Sequence, residues 1–299
     1  MRRLAAHGYD LLVDPVHGAS LAALRWQRAD GSWFDLLEPC PPAEIARSGG
    51  SFVMAPFANR LDGGRFEVAG AIVTVPLNRP DLNLAIHGFS RDRQWQVADA
   101  TETTLTLFDD FADPAVAFAY RLTQRITIGP EGVELTLDLA NTARRPLPYG
   151  FGFHPWFRKD DATWLTIGKS GVLGRDARGL PTEPIYGPAL AAGRDTSSMP
   201  WFDGHLIDWA PRQALIEWPR AGIRLRLGAS GALTNLHVYV PDDRPVLCVE
   251  PVSHVPDVHN RRHLAHYGDL AWLAPGETMR GAMQLRAGAS DLRIASKKG

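Results

Sequence analysis

A glutamate and a histidine, far apart along the chain, stand in surroundings suited to proton transfer. Glu250 closes an apolar, strand-like run, where loss of water raises the pKa of a carboxyl group and makes it a better base. His154 lies in the aromatic segment 148–157, and a histidine whose pKa is near ambient pH donates or accepts protons. Gly150 and Gly152 in that segment leave room for a close approach to the backbone. The structural alternatives are a solvated glutamate at a strand end and an aromatic core strand with one polar member.

Two further segments place polar side chains beside turns. His87 follows an apolar stretch and precedes a glycine, a position that often ends a strand and points a side chain into a cleft. Asn59 and Arg60 precede an Asp-Gly-Gly turn, and the rigid guanidinium fork suits adjacent hydroxyls or a carboxylate. The alternatives are a core histidine with both ring nitrogens satisfied and a surface arginine beside a hairpin.

Late histidines raise the question of a metal site. They are His254, His259, His263 and His266. A helix would bring the last three to one face, but the neighbouring prolines favour a loop and no HExxH spacing occurs. Ser253 permits a Ser-His-Asp triad in principle, yet no GxSxG elbow supports one. We therefore expect neither a metal ligand set nor a serine nucleophile.

Apolar and polar residues alternate with a period of two along much of the chain. The alternation is clear in residues 132–139 and 222–228, and it is typical of half-buried antiparallel strands. Helical signals are confined to the short stretches 42–47 and 186–193. The pattern predicts an all-β fold, a large antiparallel β-sandwich with few short helices, and a single domain over residues 1–299.

The composition excludes several classes of protein. The chain has 299 residues, 45% of them hydrophobic, and a formal net charge of −1, which argues against disorder and against nucleic-acid or anionic-membrane partners. No apolar run reaches the roughly 18 residues of a membrane helix, and Asp10 and Asp14 interrupt any secretory signal. The two cysteines, Cys40 and Cys248, have no metal-binding or disulfide spacing and favour a reducing compartment, most simply the cytoplasm.

Five segments in order resemble the aldose 1-epimerase (mutarotase) family of the galactose-mutarotase-like group, over about residues 10–287. They read NRLDGGRF, IHGF, NTARRPLPYGFGFHPWF, VLCVEPVSHVPDVHN and APGETMRGAMQLR. The resemblance implies a galactose-mutarotase-like supersandwich that interconverts the α and β anomers of a free aldose. Phe153 before His154, and Pro155 to Phe157 after it, resemble a divergent bacterial branch. We expect a monosaccharide substrate, no cofactor, and a monomer or homodimer.

Residue by residue, the resemblance implies that Glu250 is the general base, His154 the general acid and His87 a partner histidine near the ring oxygen. The residues expected to bind the sugar are Asn59, Arg60, Trp156 and Asp203. Opening a hemiacetal ring removes a proton from O1 and delivers one to O5, which a carboxylate and an imidazolium can do together. We also expect Glu250 to raise the pKa of a neighbouring histidine and hold it as imidazolium at neutral pH.

Three alternatives stay open. A hexose-phosphate 1-epimerase of the same group would need several cationic side chains around a phosphate. The candidates are Arg91, Arg93, Arg144 and Arg145. A carbohydrate-binding or sensing protein would keep Arg60 and the aromatic cluster without an acid–base pair. A metalloenzyme would use the late histidines.

Overall fold

The structure, a computed structural model, describes residues 1–40, 49–185, 194–195, 201–290 and 292. Both stretches with weak helical signals, 42–47 and 186–193, lie outside the described residues. Most residues of the described chain are in β-strands, which confirms the predicted all-β class. Its helical content is confined to three short 3-10 turns, Pro80–Leu82, Ser90–Asp92 and Arg262–Tyr267. None of the helices within these ranges is long and apolar enough to cross a membrane.

The strands are numbered in chain order. The first twelve are β1 (Arg2–Ala6), β2 (Tyr9–Asp14), β3 (Ser20–Gln27), β4 (Trp33–Asp35), β5 (Ser51–Met54), β6 (Arg60–Asp62), β7 (Arg65–Val68), β8 (Ala71–Thr74), β9 (Leu84–Ile86), β10 (Gln96–Ala100), β11 (Thr104–Ala112) and β12 (Ala119–Gly129). The others are β13 (Gly132–Asn141), β14 (Leu147–Tyr149), β15 (Gly152–Arg158), β16 (Trp164–Arg175), β17 (Pro181–Ile185), β18 (Arg194–Asp195), β19 (Phe202–Trp218), β20 (Ile223–Gly231), β21 (Asn235–Val240), β22 (Val246–Val252), β23 (Ala271–Leu273) and β24 (Thr278–Ala289).

Two runs of antiparallel strands make up the main sheet. One run pairs β10, β11, β12, β13, β24 and β20 in that order. The other pairs β1, β2, β3, β5, β15, β22 and β21. The long strand β19 belongs to both, because its first half pairs with β21 and its second half with β20. Four additional short strands form two separate hairpin-like ladders, β6 with β9 and β7 with β8.

The apolar core lies between the two runs, as expected for the predicted sandwich. Tyr120 and Leu135 of the first run and Phe153 and Val238 of the second belong to one buried cluster. Alternate residues on a strand face opposite sides of a sheet, so the residues between these apolar ones face away from the core. On β15, β21 and β22 that outward face carries the histidine and glutamate singled out in the sequence.

Candidate active site

The register of four strand pairings aligns the polar residues of the outward face. His154 is opposite Phe52 of β5, and the pairs Gly152–Val252 and Trp156–Cys248 bracket His154 and Glu250. His154 and Glu250 are therefore directly opposite one another on β15 and β22. The row continues through His237 of β21 to His205 of β19, each opposite its neighbour.

A second row runs beside the first, two residues along each strand. It consists of Trp156, Cys248, Tyr239 and Asp203. The strand registers thus assemble residues from Phe52 to Glu250, which are far apart in the chain. Because side chains of directly paired residues lie within contact distance, the two rows form one continuous polar and aromatic floor.

A cavity of about 330 Å³ lies over this floor. Its walls are Phe52, Asn59, Arg60, Arg79, Ile86, His87, Arg91, His154, Trp156, Trp201, Asp203, His237, Tyr239 and Glu250. All seven residues singled out by the sequence as catalytic or sugar-binding are in this set. The volume lies at the lower end of the range typical of small-molecule sites, about 300–1,000 Å³.

His154 and Glu250 form a close, buried pair at the cavity floor. His154 Nε2 is 3.4 Å from Glu250 Oε1, and the side chains are 8% and 1% exposed. The imidazole is stacked between Phe52, with ring centroids 4.5 Å apart, and Trp156, at 5.1 Å. Neither His154 Nδ1 nor Glu250 Oε2 has a hydrogen-bond partner among the described residues. This pair therefore retains polar atoms for a bound molecule.

Burial sets the protonation of the pair, and it overturns one expectation from the sequence. Burial, followed by the charge of Asp203, raises the pKa of Glu250 well above its ordinary value. Burial, with smaller contributions from His237 and Arg91, lowers the pKa of His154 to about 3. The prediction that Glu250 holds this histidine as imidazolium was wrong, because a carboxyl group that is itself desolvated keeps its proton and offers little negative charge. Burial of both groups therefore favours the proton on Glu250 over the proton on His154.

His87 is positioned by an unusual backbone at the cavity wall. Both Asn59 and His87 have positive φ, 59° and 67°, a region that few residues other than glycine adopt. The two segments are joined twice, because the Asn59 amide donates to His87 Nδ1 at 3.2 Å and the His87 amide donates to the Asn59 carbonyl at 2.9 Å. Burial and the charge of Arg91 lower the pKa of His87 well below its ordinary value, so the ring is neutral. Strain of this kind is often kept at functional sites.

Asp203 is the anionic centre of the opposite wall. It accepts hydrogen bonds or ion pairs from Arg175 at 2.7 Å, His237 at 2.9 Å and Arg60 at 3.0 Å. Burial raises the pKa of this carboxyl, but the bond from His237 and the two guanidinium charges outweigh it and lower the pKa well below 3.8. Arg60 also donates to the Asn59 side-chain oxygen at 3.1 Å, which fixes the guanidinium over the cavity.

Sequence reasoning did not assign several of the cavity residues. His237 and Tyr239 had a usable signal, because they alternate with the apolar Leu236, Val238 and Val240 along their strand. A polar residue at a buried strand position is unusual enough to be noted. Phe52, Ile86, Arg79 and Trp201 had no such signal, since their place in the wall depends on where loops and neighbouring strands lie.

The late histidines do not gather into a ligand set in the part of the chain that the structure describes. His254 and His259 are buried with ring centroids 6.4 Å apart, whereas His263 approaches Glu183 and His266 stacks on Tyr267. The segment is largely turn, as favoured from the sequence, and includes the 3-10 turn Arg262–Tyr267.

Ser253 has a structural part beside these histidines. Its hydroxyl accepts from the Phe151 amide and contacts His254 Nδ1 at 2.9 Å, while His254 Nε2 accepts from the Ala58 amide. Both ring nitrogens of His254 are thereby occupied without any carboxylate. The close approach expected at Gly150 is made by the His254 ring, which a Cβ there would meet at 2.3 Å.

Comparisons with known proteins identify the family of this chain. The family model described as aldose 1-epimerase matches residues 13–286. The uncharacterized protein YphB of Escherichia coli K12 is 27% identical over 275 residues, 86% of this chain and 91% of that protein. A crystal structure of an Escherichia coli K12 protein, described as a candidate aldose 1-epimerase, superposes with a TM-score of 0.86 at 25% identity, covering 96% of this chain and 98% of that one.

A more distant structure shares the fold alone. The galactose 1-epimerase of Lactobacillus acidophilus is 16% identical and superposes with a TM-score of 0.73, covering 96% of this chain and 93% of that one. The family match extends over most of the chain and includes every strand that contributes to the cavity floor. The chain belongs to the aldose 1-epimerase family.

Proposed function

We propose that the protein interconverts the α and β anomers of an aldose, with Glu250 and His154 as the proton-transfer pair. The observation that carries the proposal is the contact of 3.4 Å between the two groups on the floor of a monosaccharide-sized cavity. O1 and O5 of a pyranose are both bonded to C1, so two side chains in mutual contact can reach both oxygens. Family membership supports the same reaction.

The reaction needs one proton in the pair. Burial favours that proton on Glu250. Transfer across the contact to His154 produces carboxylate and imidazolium without changing the net charge of the cavity. Glu250 then accepts the O1 proton as base while His154 donates to O5 as acid, and the ring opens. Rotation about C1–C2 and the reverse transfers close the ring on its other face.

The remaining wall residues orient the sugar in this proposal. Arg60 and Asp203 offer donors and an acceptor to ring hydroxyls, and Asn59 holds Arg60 in place. The neutral His87, edge-on to His154 with ring centroids 5.2 Å apart, is placed to hydrogen-bond near the ring oxygen. Trp156 lies flat against His154 in the cavity wall, and its buried Nε1 has no described partner.

Polarimetry of freshly dissolved α-glucose and α-galactose tests the proposal. Glu250→Gln and His154→Gln should each lower the catalysed rate by about 10²–10⁴-fold, the contribution typical of a positioned acid or base. Glu134→Gln and His263→Gln are matched controls, because both residues are exposed and lie outside the cavity. A wild-type rate no faster than that of buffer, over a broad panel of aldoses, would contradict the proposal.

A phosphorylated aldose is a second candidate, favoured by Arg91. Of the four arginines proposed for a phosphate, Arg91 lines the cavity, whereas Arg93 bonds to Asp109 at 2.8 Å. The Arg91 side chain is only 17% exposed, and its ion-pair partner is the exposed Asp92 at 3.3 Å. Arg79 is a second cation in the same wall. Arg91→Gln should then lower kcat/KM for glucose 6-phosphate more than for glucose, whereas the exposed Arg144→Gln should affect neither.

A sugar-binding protein without catalysis is separated from both by calorimetry. Tight binding of a sugar that undergoes no faster anomerisation would favour it. The cytoplasmic location, the single domain and the monomeric or dimeric state expected from the sequence stay predictions.

A further inference from the structure

Cys248 lies beside the acid–base pair, and the proposed reaction does not use it. It shares the outward face of β22 with Glu250, two residues away, and is opposite Trp156 of β15. One ligand atom each from His154, Cys248 and Glu250 lies within 4.8 Å of the other two. Within the described ranges, this is the one group of three or more such side chains that could hold a metal ion.

Two of the three side chains have ligand capacity that no protein group occupies. His154 Nδ1 and Glu250 Oε2 are buried without a described hydrogen-bond partner, although their residues are only 6% and 1% exposed. Buried polar atoms are normally satisfied, and an exception calls for an explanation. In the proposed function, a bound sugar would hydrogen-bond to both groups. The neighbouring Cys248 thiol adds a sulfur ligand at the same place.

A thiol, an imidazole and a carboxylate are together a donor set for zinc. Zinc sites use cysteine, histidine and acidic ligands at about 2.0–2.3 Å, which places ligand atoms about 3–4 Å apart. The present separations of up to 4.8 Å therefore need side-chain shifts of about 1 Å. Three protein ligands leave a fourth tetrahedral position, which here would face the cavity, because Glu250 and His154 both line it. Thiolate ligation selects thiophilic ions over magnesium or calcium.

We propose that His154, Cys248 and Glu250 form an inhibitory site for a thiophilic divalent cation such as zinc, entered from the sugar cavity. Binding displaces the thiol proton and the proton of Glu250 to solvent, and the ion takes the lone pairs that proton transfer requires. Metal and sugar then compete for one site. The inhibition rests on the proposed function, whereas the binding does not.

Cobalt titration of the purified protein tests the binding directly. Co²⁺ should produce the near-ultraviolet thiolate-to-metal charge-transfer absorption in the wild-type protein and in Cys40→Ala, but not in Cys248→Ala. Cys40 is the matched control, because it is also a buried cysteine but packs against Ala22, outside the group of His154, Cys248 and Glu250. Zinc should displace the cobalt. Absence of the absorption in the wild-type protein, or its persistence in Cys248→Ala, would overturn the site.

Zinc inhibition completes the test and keeps the two proposals apart. Each variant is compared with its own metal-free rate of anomerisation, and its fold is checked by thermal unfolding. Loss of Cys248 should weaken zinc inhibition by about 100-fold or more, since even an outer-shell partner contributes about 10–100-fold to metal affinity. Equal inhibition of the wild-type protein and Cys248→Ala would refute the role of the thiol. A cobalt spectrum without any anomerisation would sink the proposed function and leave the metal site intact.

Discussion

Two regions of the main sheet have the same alternation of core-facing and outward-facing residues. They differ in whether their outward-facing polar side chains are exposed or buried. On β11 and β12, Asp110 pairs with Arg121 while both stay about half exposed, at 47% and 55%. On β15, β22 and β19, the outward-facing His154, Glu250 and His205 are buried, and each has a nitrogen or oxygen without a described partner. The difference lies in the cover over the sheet and not in the strands themselves.

The cover over the second region comes from a few loops and short strands. Residues 59–60, 86–87 and 91 wall the cavity and take its floor out of bulk water. An unsatisfied buried polar group destabilises a fold by about 1–3 kcal/mol, so a packed apolar floor would be more stable. Retention of several such groups in one place is what distinguishes a site from a solvated sheet face, and substitutions in the two regions should therefore behave differently.

Among the substitutions that remove a polar contact, the largest stability effect is expected at Asp203. Asp203→Asn leaves Arg60, Arg175 and His237 without their shared anion, and removing one partner of a buried ion pair costs about 3 kcal/mol. Urea unfolding at neutral pH should show this loss. Because the pKa of Asp203 is lowered in the folded state, its contribution is present above pH 3.8 and disappears as the pH falls further. A variant as stable as the wild type would show that these cations are solvated after all.

A second prediction concerns the stability of the turn that carries His87. Gly88 and Gly70 both have positive φ, 65° and 81°, but a Cβ on Gly88 would lie 2.0 Å from the Ala55 carbonyl oxygen, whereas one on Gly70 meets nothing within 4 Å. Alanine at either position pays the strain of the left-handed region, about 1–3 kcal/mol. Gly88→Ala should be destabilised by about 1–3 kcal/mol more than Gly70→Ala, because only it is also overpacked. Equal unfolding midpoints of the two variants would mean that the backbone around Gly88 shifts to accommodate the Cβ without loss of stability.

The sequence predicts the strands of this site but not the register in which they pair. Alternation predicted strands such as 132–139 because burial of one face imposes a period of two. Pairing between distant strands follows from the whole fold, so the sequence could not show that His237 is opposite Glu250. The residue types and the family resemblance together named seven wall residues, whereas Arg79 and Trp201 enter the wall through loop positions that no short pattern encodes.

The protonation of the pair could not be read from the sequence for a related reason. A carboxylate next to a histidine raises its pKa in water-accessible sites, and this argument led to the wrong sign for His154. The sign depends on how completely both groups are buried, and burial depends on the cover and not on the neighbours in the chain.

A smaller effect is expected at Glu250, whose burial should lower the free energy of unfolding as the pH rises. Its pKa is raised in the folded state, so the contribution of Glu250 to wild-type stability falls as the pH rises from 4.5 towards the folded-state pKa, by at most about 1.4 kcal/mol per pH unit. Glu250→Gln lacks this slope, and its stability relative to the wild type should increase with pH. Both proteins share the same histidines, so the difference between their free energies of unfolding from pH 4.5 upward isolates the effect. A difference that stays constant from pH 4.5 upward would mean that Glu250 titrates as an ordinary carboxylate.

The smallest effect is expected on the solvated strands, where Asp110→Asn removes the partner of Arg121. The ion pair is well formed, with Arg121 Nη2 2.6 Å from Asp110 Oδ2, but both side chains keep access to water. Water replaces the lost hydrogen bonds and salt screens the pair, so its removal should leave the unfolding midpoint unchanged within error. Raising the salt concentration should not separate variant from wild type either. A loss comparable to that of Asp203→Asn would show that the exposed ion pair contributes as much to stability as the buried one. Burial would then not distinguish the site from the solvated strands.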